Sequence, residues 1–285
     1  MTDDLFSQAV SHPSAEHCVQ EIRSLAATAK HTAERLKKET DEAVRRQCFW
    51  DKVLEYVQND WHFHLMDLVR REGALAASQT ESKPVPVAAL DSLVERANRE
   101  AEVIKRRFPK LFDDFCQDAN LPLDRTSAHP RYTLEDQFIL VEIDERRNAA
   151  RVSDRESQLA QLPMDIPAIV EVLKREHSRL FGREFNASRF LKKLRAQYKA
   201  IIRKEKSADG VSLPIRKITH RLGKNEKGFR TDEFLIDLSR LVENGPLEIR
   251  GYRLDLGQTK DTKQGMLLHG SAGRGYIGFI TFRKV

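Results

Sequence analysis

Between Val19 and Ala43, small and apolar residues recur at steps of three and four: Val19, Ile22, Ala26, Ala29, Ala33, Leu36, Thr40 and Ala43. That rhythm is the seam of a coiled coil or a close helix pair, and it predicts one long helix over 14–47. The alanines in the seam leave room for a partner helix to approach closely. A second helix is expected over 48–74, with Val53, Val57, Leu65, Leu68 and Val69 among its inward residues. SQTESKPVPV at 78–87 then breaks the pattern, because two prolines in a polar run suit a linker or a loop.

The spacing resumes with Leu90, Val94, Ala97, Ala101, Ile104 and Phe108, and Pro109 is expected to interrupt it. Leu111, Phe112 and Phe115 add a short aromatic turn of helix. Residues 1–120 therefore read as a long-helix hairpin or small bundle for partner binding. No repeat at a fixed period is present. After a proline-bearing loop at 120–130, RYTLEDQFILVEIDE carries Phe138, Leu140 and Ile143 among β-formers, and Ala149–Val152 follows the turn ERRN. A β-hairpin is expected over 131–153, then a helix over 166–181 entered between Pro163 and Pro167 and capped by Asp165. Residues 121–182 thus form a hairpin-plus-helix connector.

Residues 183–285 are read as a third, basic unit. Asn186 or Ser188 starts a helix over 188–206, whose apolar stripe is Phe190, Leu191, Leu194, Tyr198, Ile201 and Ile202. A short strand and short helix follow in 211–222, then a helix over 231–243 ended at Asn244–Gly245, a strand over 247–256, a polar loop and a terminal strand. In that last strand Ile277, Phe279 and Thr281 alternate with Tyr276, Gly278, Ile280 and Phe282. The fold class is mainly α with a smaller α+β part.

Charge sharpens this division. The chain has a formal net charge of +6, yet residues 174–285 hold 26 Lys and Arg against 12 Asp and Glu, a net of +14, leaving the rest at −8. A positive third on a negative remainder points to a polyanion or an acidic protein surface as its partner. No stretch nears the run of about 18 apolar residues that a membrane helix needs, so no membrane is expected. MTDDLFSQAV lacks the basic start and apolar run of a signal peptide, and the three scattered cysteines suit a reducing compartment, so the cytoplasm is expected.

Catalytic motifs are few. His62 and His64 lack a second ligand pair, GSAGRG at 270–275 reads as a hairpin turn, and no cofactor is implied. RGYIGFITF approaches an RNA-recognition signature, but Ile277 is one residue too many and the chain stops soon after. Glu142, Asp144 and Glu145 are the one carboxylate group that would suit a metal-dependent nuclease.

The order helix, short helix, helix, strand, loop, strand over the last hundred or so residues resembles a winged helix-turn-helix. The resemblance implies a third helix in a DNA groove and a basic wing along the backbone. Here that third helix carries Asp232, Glu233, Asp237 and Glu243 against Arg240 alone, and carboxylates facing phosphates are repelled. Nucleic acid is therefore assigned to Arg189, Lys192, Lys193, Arg195, Lys199, Arg203 and Lys204 on the 188–206 helix. Lys224, Lys227 and Arg230, and the wing residues Lys260, Lys263 and Arg274, join them. A long-helix part joined to a winged helix also resembles, loosely, accessory subunits of condensin-like ATPase complexes. The expected function is a non-catalytic accessory subunit of a DNA-handling or defence complex, with nonspecific DNA and protein subunits, an ATPase among them, as partners. The alternatives are a scaffold docking an acidic protein and a metal-dependent nuclease.

Overall fold

The computed structural model describes residues 15–77, 87–270 and 275–285. The fold is mainly α with a smaller α+β part: eight helices and two antiparallel sheets among the described residues. Helix α1 (Ala15–Gln58) runs straight through the expected break at 47–48, and the chain turns only at Asn59–Trp61, where Asp60 takes a left-handed φ of 53°. Helices α2 (His62–Glu72), α3 (Ala74–Ala77) and α4 (Val87–Asp118) follow. A small core of Phe49, Val53, Leu65, Leu68, Leu90 and Ala97 joins the end of α1 to α2 and the start of α4. The expected seam does not enter it. Every residue from 19 to 45 is exposed, and among the described residues no other element covers this stretch. The expected linker lies outside the described residues save for Val87.

Pro109 does not interrupt α4. A proline inside a helix costs about 3 kcal/mol through its missing N–H and its clash with the preceding turn. Phe108 and Phe112 on either side of it are fully buried, stacked on each other and tilted against Tyr132. Each such burial is worth about 1.5–3 kcal/mol, so the two rings outweigh the proline.

The segment expected as a hairpin, 131–153, holds three strands of a four-stranded antiparallel meander, because the chain turns at 135–138: β1 (Arg131–Leu134), β2 (Ile139–Asp144), β3 (Ala149–Ser153) and β4 (Gln158–Pro163). Along β2 the burial alternates, with Ile139, Val141 and Ile143 turned inward. Strand β4, QLAQLP, has neither β-branched residues nor clean alternation, so its sequence signal is weak. The Asp154 carboxylate closes the β3–β4 turn by accepting from the Glu156 and Ser157 amides.

Helix α5 (Ile166–Phe181) begins where expected, but Asp165 caps a different helix. Its buried carboxylate accepts from the Phe63 and His64 amides at 3.1 and 2.8 Å, and from His64 Nδ1 at 2.7 Å. It thus satisfies the first turn of α2, whose own N-cap Trp61 has no oxygen to offer.

Next come α6 (Ala187–Lys204), β5 (Leu213–Pro214), α7 (Ile215–Asn225), α8 (Thr231–Asn244), β6 (Glu248–Ile249), β7 (Tyr252–Thr259), β8 (Met266–Leu267) and β9 (Tyr276–Lys284). The strand expected at 247–256 is instead a hairpin, since Arg250 and Gly251 both have left-handed φ values (49° and 73°) and form a two-residue turn. Strand β9 pairs with β5, β7 and β8, giving the order β5-β9-β7-β6. One apolar cluster runs unbroken from Phe63 and Phe108 through the meander, α5 and α8 to Phe282.

Candidate nucleic-acid interface

Asn186 opens α6 by accepting from the Arg189 amide at 2.9 Å. Leu191, Leu194, Tyr198, Ile201 and Ile202 turn inward. Steps of three and four place Arg189, Lys192, Ala196, Lys199 and Arg203 on the opposite, outer side as one row about 21 Å long. None of these four cations forms an ion pair among the described residues. Lys204 is exposed at the helix end.

Arg195 is not part of that surface. It is 6% exposed, forks onto both oxygens of Asp209 at 2.8 and 2.6 Å, and lies 4.0 Å from the ring centre of Tyr252, with Phe282 beneath. A helical wheel assigns it to the basic side only if Leu194 and Tyr198 bound the inner face; the approach of sheet β5-β9-β7 widens that face. The bond from Arg195 holds the Asp209 carboxyl below its ordinary pKa despite an opposing effect of burial. Tyr198 locks the same loop, donating to the Val211 carbonyl at 2.6 Å and accepting from the Gly210 amide. Burial raises its hydroxyl pKa.

Tyr252 brings a residue that the sequence reading missed. Lys199 Nζ stands 5.9 Å from its ring centre, and Lys284 lies directly across from it on β9. Directly opposed residues share a face of the sheet, so exposed Lys284 extends the α6 row. The strand alternation ending Ile280, Phe282, Lys284 carries that signal, but only the packing of the sheet on α6 gives it meaning.

The other expected residues divide. Lys193 is paired with Glu226 and Arg230 with Asp232. Lys224, in the last turn of α7, and Lys227, between α7 and α8, are exposed. Lys260 and Lys263 are exposed at the far end of β7, about 26 Å of strand away from Tyr252, and are not brought to the row. Arg274 lies outside the described residues.

Helix α8, the third helix of the winged-helix expectation, is turned inward. Phe234, Leu235, Ile236, Leu238 and Leu241 are buried. Arg179 of α5 bonds Asp232, Glu233 and Glu176, Arg183 pairs with Asp237, and Arg240 donates to the carbonyls of Phe181 and Arg183. Asp232, Glu233 and Asp237 are thus paired within the fold. Burial opposes the Arg179 charge, but its three carboxylate partners prevail and raise its pKa.

The nuclease candidates line a shallow depression of about 660 Å³ beside the β2–β3 turn. Each already has a partner: Glu142 pairs with Arg131, Asp144 with Arg147, and Glu145 meets the His129 ring at 2.8 Å. Among the described residues no group of three His, Cys, Asp or Glu side chains is placed to hold a metal ion. His64 is taken by Asp165, and burial beside Asp113 pushes the Cys116 thiol up to about 12. Among the described residues no helix is long and apolar enough to cross a membrane. Comparison with protein-family models, curated proteins and solved structures finds no match.

Proposed function

We propose that this chain is a non-catalytic, cytoplasmic accessory subunit of a multi-protein DNA-handling or defence assembly, and that it grips DNA backbone without reading sequence. The observation that carries this reading is the row Arg189, Lys192, Lys199, Arg203 with Lys284 beside it, none of them in an ion pair among the described residues. A row about 21 Å long can meet several phosphates of a duplex, one strand of which carries a charge about every 3.4 Å of axis. Cations spaced this way displace counterions and contact no base edge. A winged-helix architecture draws support from the order α6, β5, α7, α8, β7, β9 and from β9 lying between β5 and β7. In this reading the first helix, rather than the third, meets the nucleic acid. Cys18, Cys48 and Cys116, none of them in a disulfide, suit the cytoplasm.

Fluorescence anisotropy with a random-sequence duplex tests the reading. Four or five phosphate contacts should weaken binding by a few hundred-fold between about 50 and 200 mM salt. Arg189→Glu with Lys192→Glu and Arg203→Glu should abolish binding, while Lys260→Glu with Lys263→Glu should leave most of it. Absence of binding at the lower salt, or a triple variant that binds like the parent, would sink the proposal. Metal-dependent cleavage lost in Asp144→Ala would replace it with the nuclease reading.

A further inference from the structure

Helix α1 leaves the fold as an arm. Residues 19–45 extend about 40 Å with every side chain exposed. The arm is amphipathic in spite of this. Ile22 is 64% exposed, Leu25 69% and Leu36 51%, alongside Val19 and the seam alanines. A helix that displays such a stripe to water is missing the surface that covers it.

The flanks of the stripe state what that surface is made of. On one side, at heptad spacing, stand Arg23, Lys30 and Lys37, none with an ion pair among the described residues. On the other stand Leu25, Thr32 and Glu39, and Glu39 is already held by Arg35 at 2.8 Å. Glu34 and Asp41 lie further round the helix and form no ion pair with the basic flank among the described residues.

A second copy of the chain fits this arrangement poorly. Antiparallel self-pairing about Ala29 and Ala33 matches Val19 to Ala43 and Ile22 to Thr40, but flanks of the same kind then face each other. Lys30 would meet the same residue of the other copy, and Arg23 would meet Lys37. Parallel pairing sets Leu25 beside Lys30 and Thr32 beside Lys37, with no opposite charge in either place. The small residues at Ala26, Ala29 and Ala33 admit a close neighbour, and the basic flank selects its charge.

We infer that α1 residues 19–45 form a docking surface for an amphipathic helix of a different protein, with glutamates or aspartates along the edge facing Arg23, Lys30 and Lys37. This surface is separate from the α6 row, so it stands or falls independently of DNA binding.

Two synthetic helical peptides with an alanine–leucine seam test it on the full-length protein, one flanked by glutamate and the other by lysine. The glutamate peptide should bind roughly ten-fold or more tightly than the lysine peptide, since three contacts change from attraction to repulsion. Arg23→Glu with Lys30→Glu and Lys37→Glu should reverse the preference. Lys38→Glu with Arg45→Glu, on the back of the helix, should not. Ile22→Glu with Leu36→Glu should lose both peptides. Equal affinity for the two, or no saturable binding by either, overturns the inference. So does a dimer in sedimentation that Ile22→Glu with Leu36→Glu disperses, because the second copy would then be the occupant.

Discussion

Arg195 and Asp165 show how single charged groups hold distant parts of this chain. Arg195 is retained in the core because Asp209 accepts both arms of its guanidinium and Tyr252 and Phe282 cover its faces. Asp209→Asn leaves a buried cation without its counterion. Asp209 is itself partly exposed, so the cost is set below that of a fully buried pair, at about 1–3 kcal/mol by urea denaturation at neutral pH. The sign of the pH dependence follows from the lowered pKa of Asp209. Its contribution is complete above the unfolded carboxyl's pKa of about 3.9 and is lost as pH falls through the lower folded value. The Asn variant should therefore converge on the parent protein's stability in strong acid, and a constant gap between pH 7 and 2 would contradict this account. Asp165→Ala removes two backbone acceptor contacts at the start of α2 and should cost about 2 kcal/mol or more.

Among elements, α4 and α1 are opposite cases. Helix α4 keeps Pro109 because Phe108 and Phe112 bind it to the meander. Pro109 is exposed, so Pro109→Ala should relieve the backbone defect without disturbing packing and raise the thermal midpoint by the equivalent of about 1–3 kcal/mol. Helix α1 beyond its last turns contributes no buried side chain from 19 to 45. Deleting residues 1–44 should leave the unfolding free energy of the remainder, by urea denaturation, within about 0.5 kcal/mol of the parent. A larger loss would mean that the arm packs back on the body. The helix periods and the β2–β3 turn were legible because each is a local pattern. The fourth strand and the 250–251 turn were not, since QLAQLP and LEIRGYRLDL reveal their pairing only when a neighbouring strand is present.

At the scale of the whole molecule, two apolar cores share α2 and α4, and Met66 packs against both. Trp50 and Trp61 lie around the smaller core, whereas backbone dichroism reports the whole chain. Asp165 and Phe63 couple the two, so tryptophan fluorescence and far-ultraviolet dichroism should show one coincident urea transition. Asp165→Ala should pull them apart. Transitions already separate in the parent would mean that the cores unfold independently.

The sequence by itself determined the helix-rich class, the amphipathic period of α1, α4 and α6, and the separation of positive from negative charge along the chain. These depend on residue type and spacing, which survive in any conformation. Only the tertiary structure decided which cations remain available. Arg195, Lys193 and Arg179 meet carboxylates from other helices and loops, while Lys284 is carried to α6 by a strand that crosses from the end of the chain. Charge at a surface is a property of three-dimensional pairing, and residues fourteen or fifty-three positions apart become partners only when the core brings their elements together.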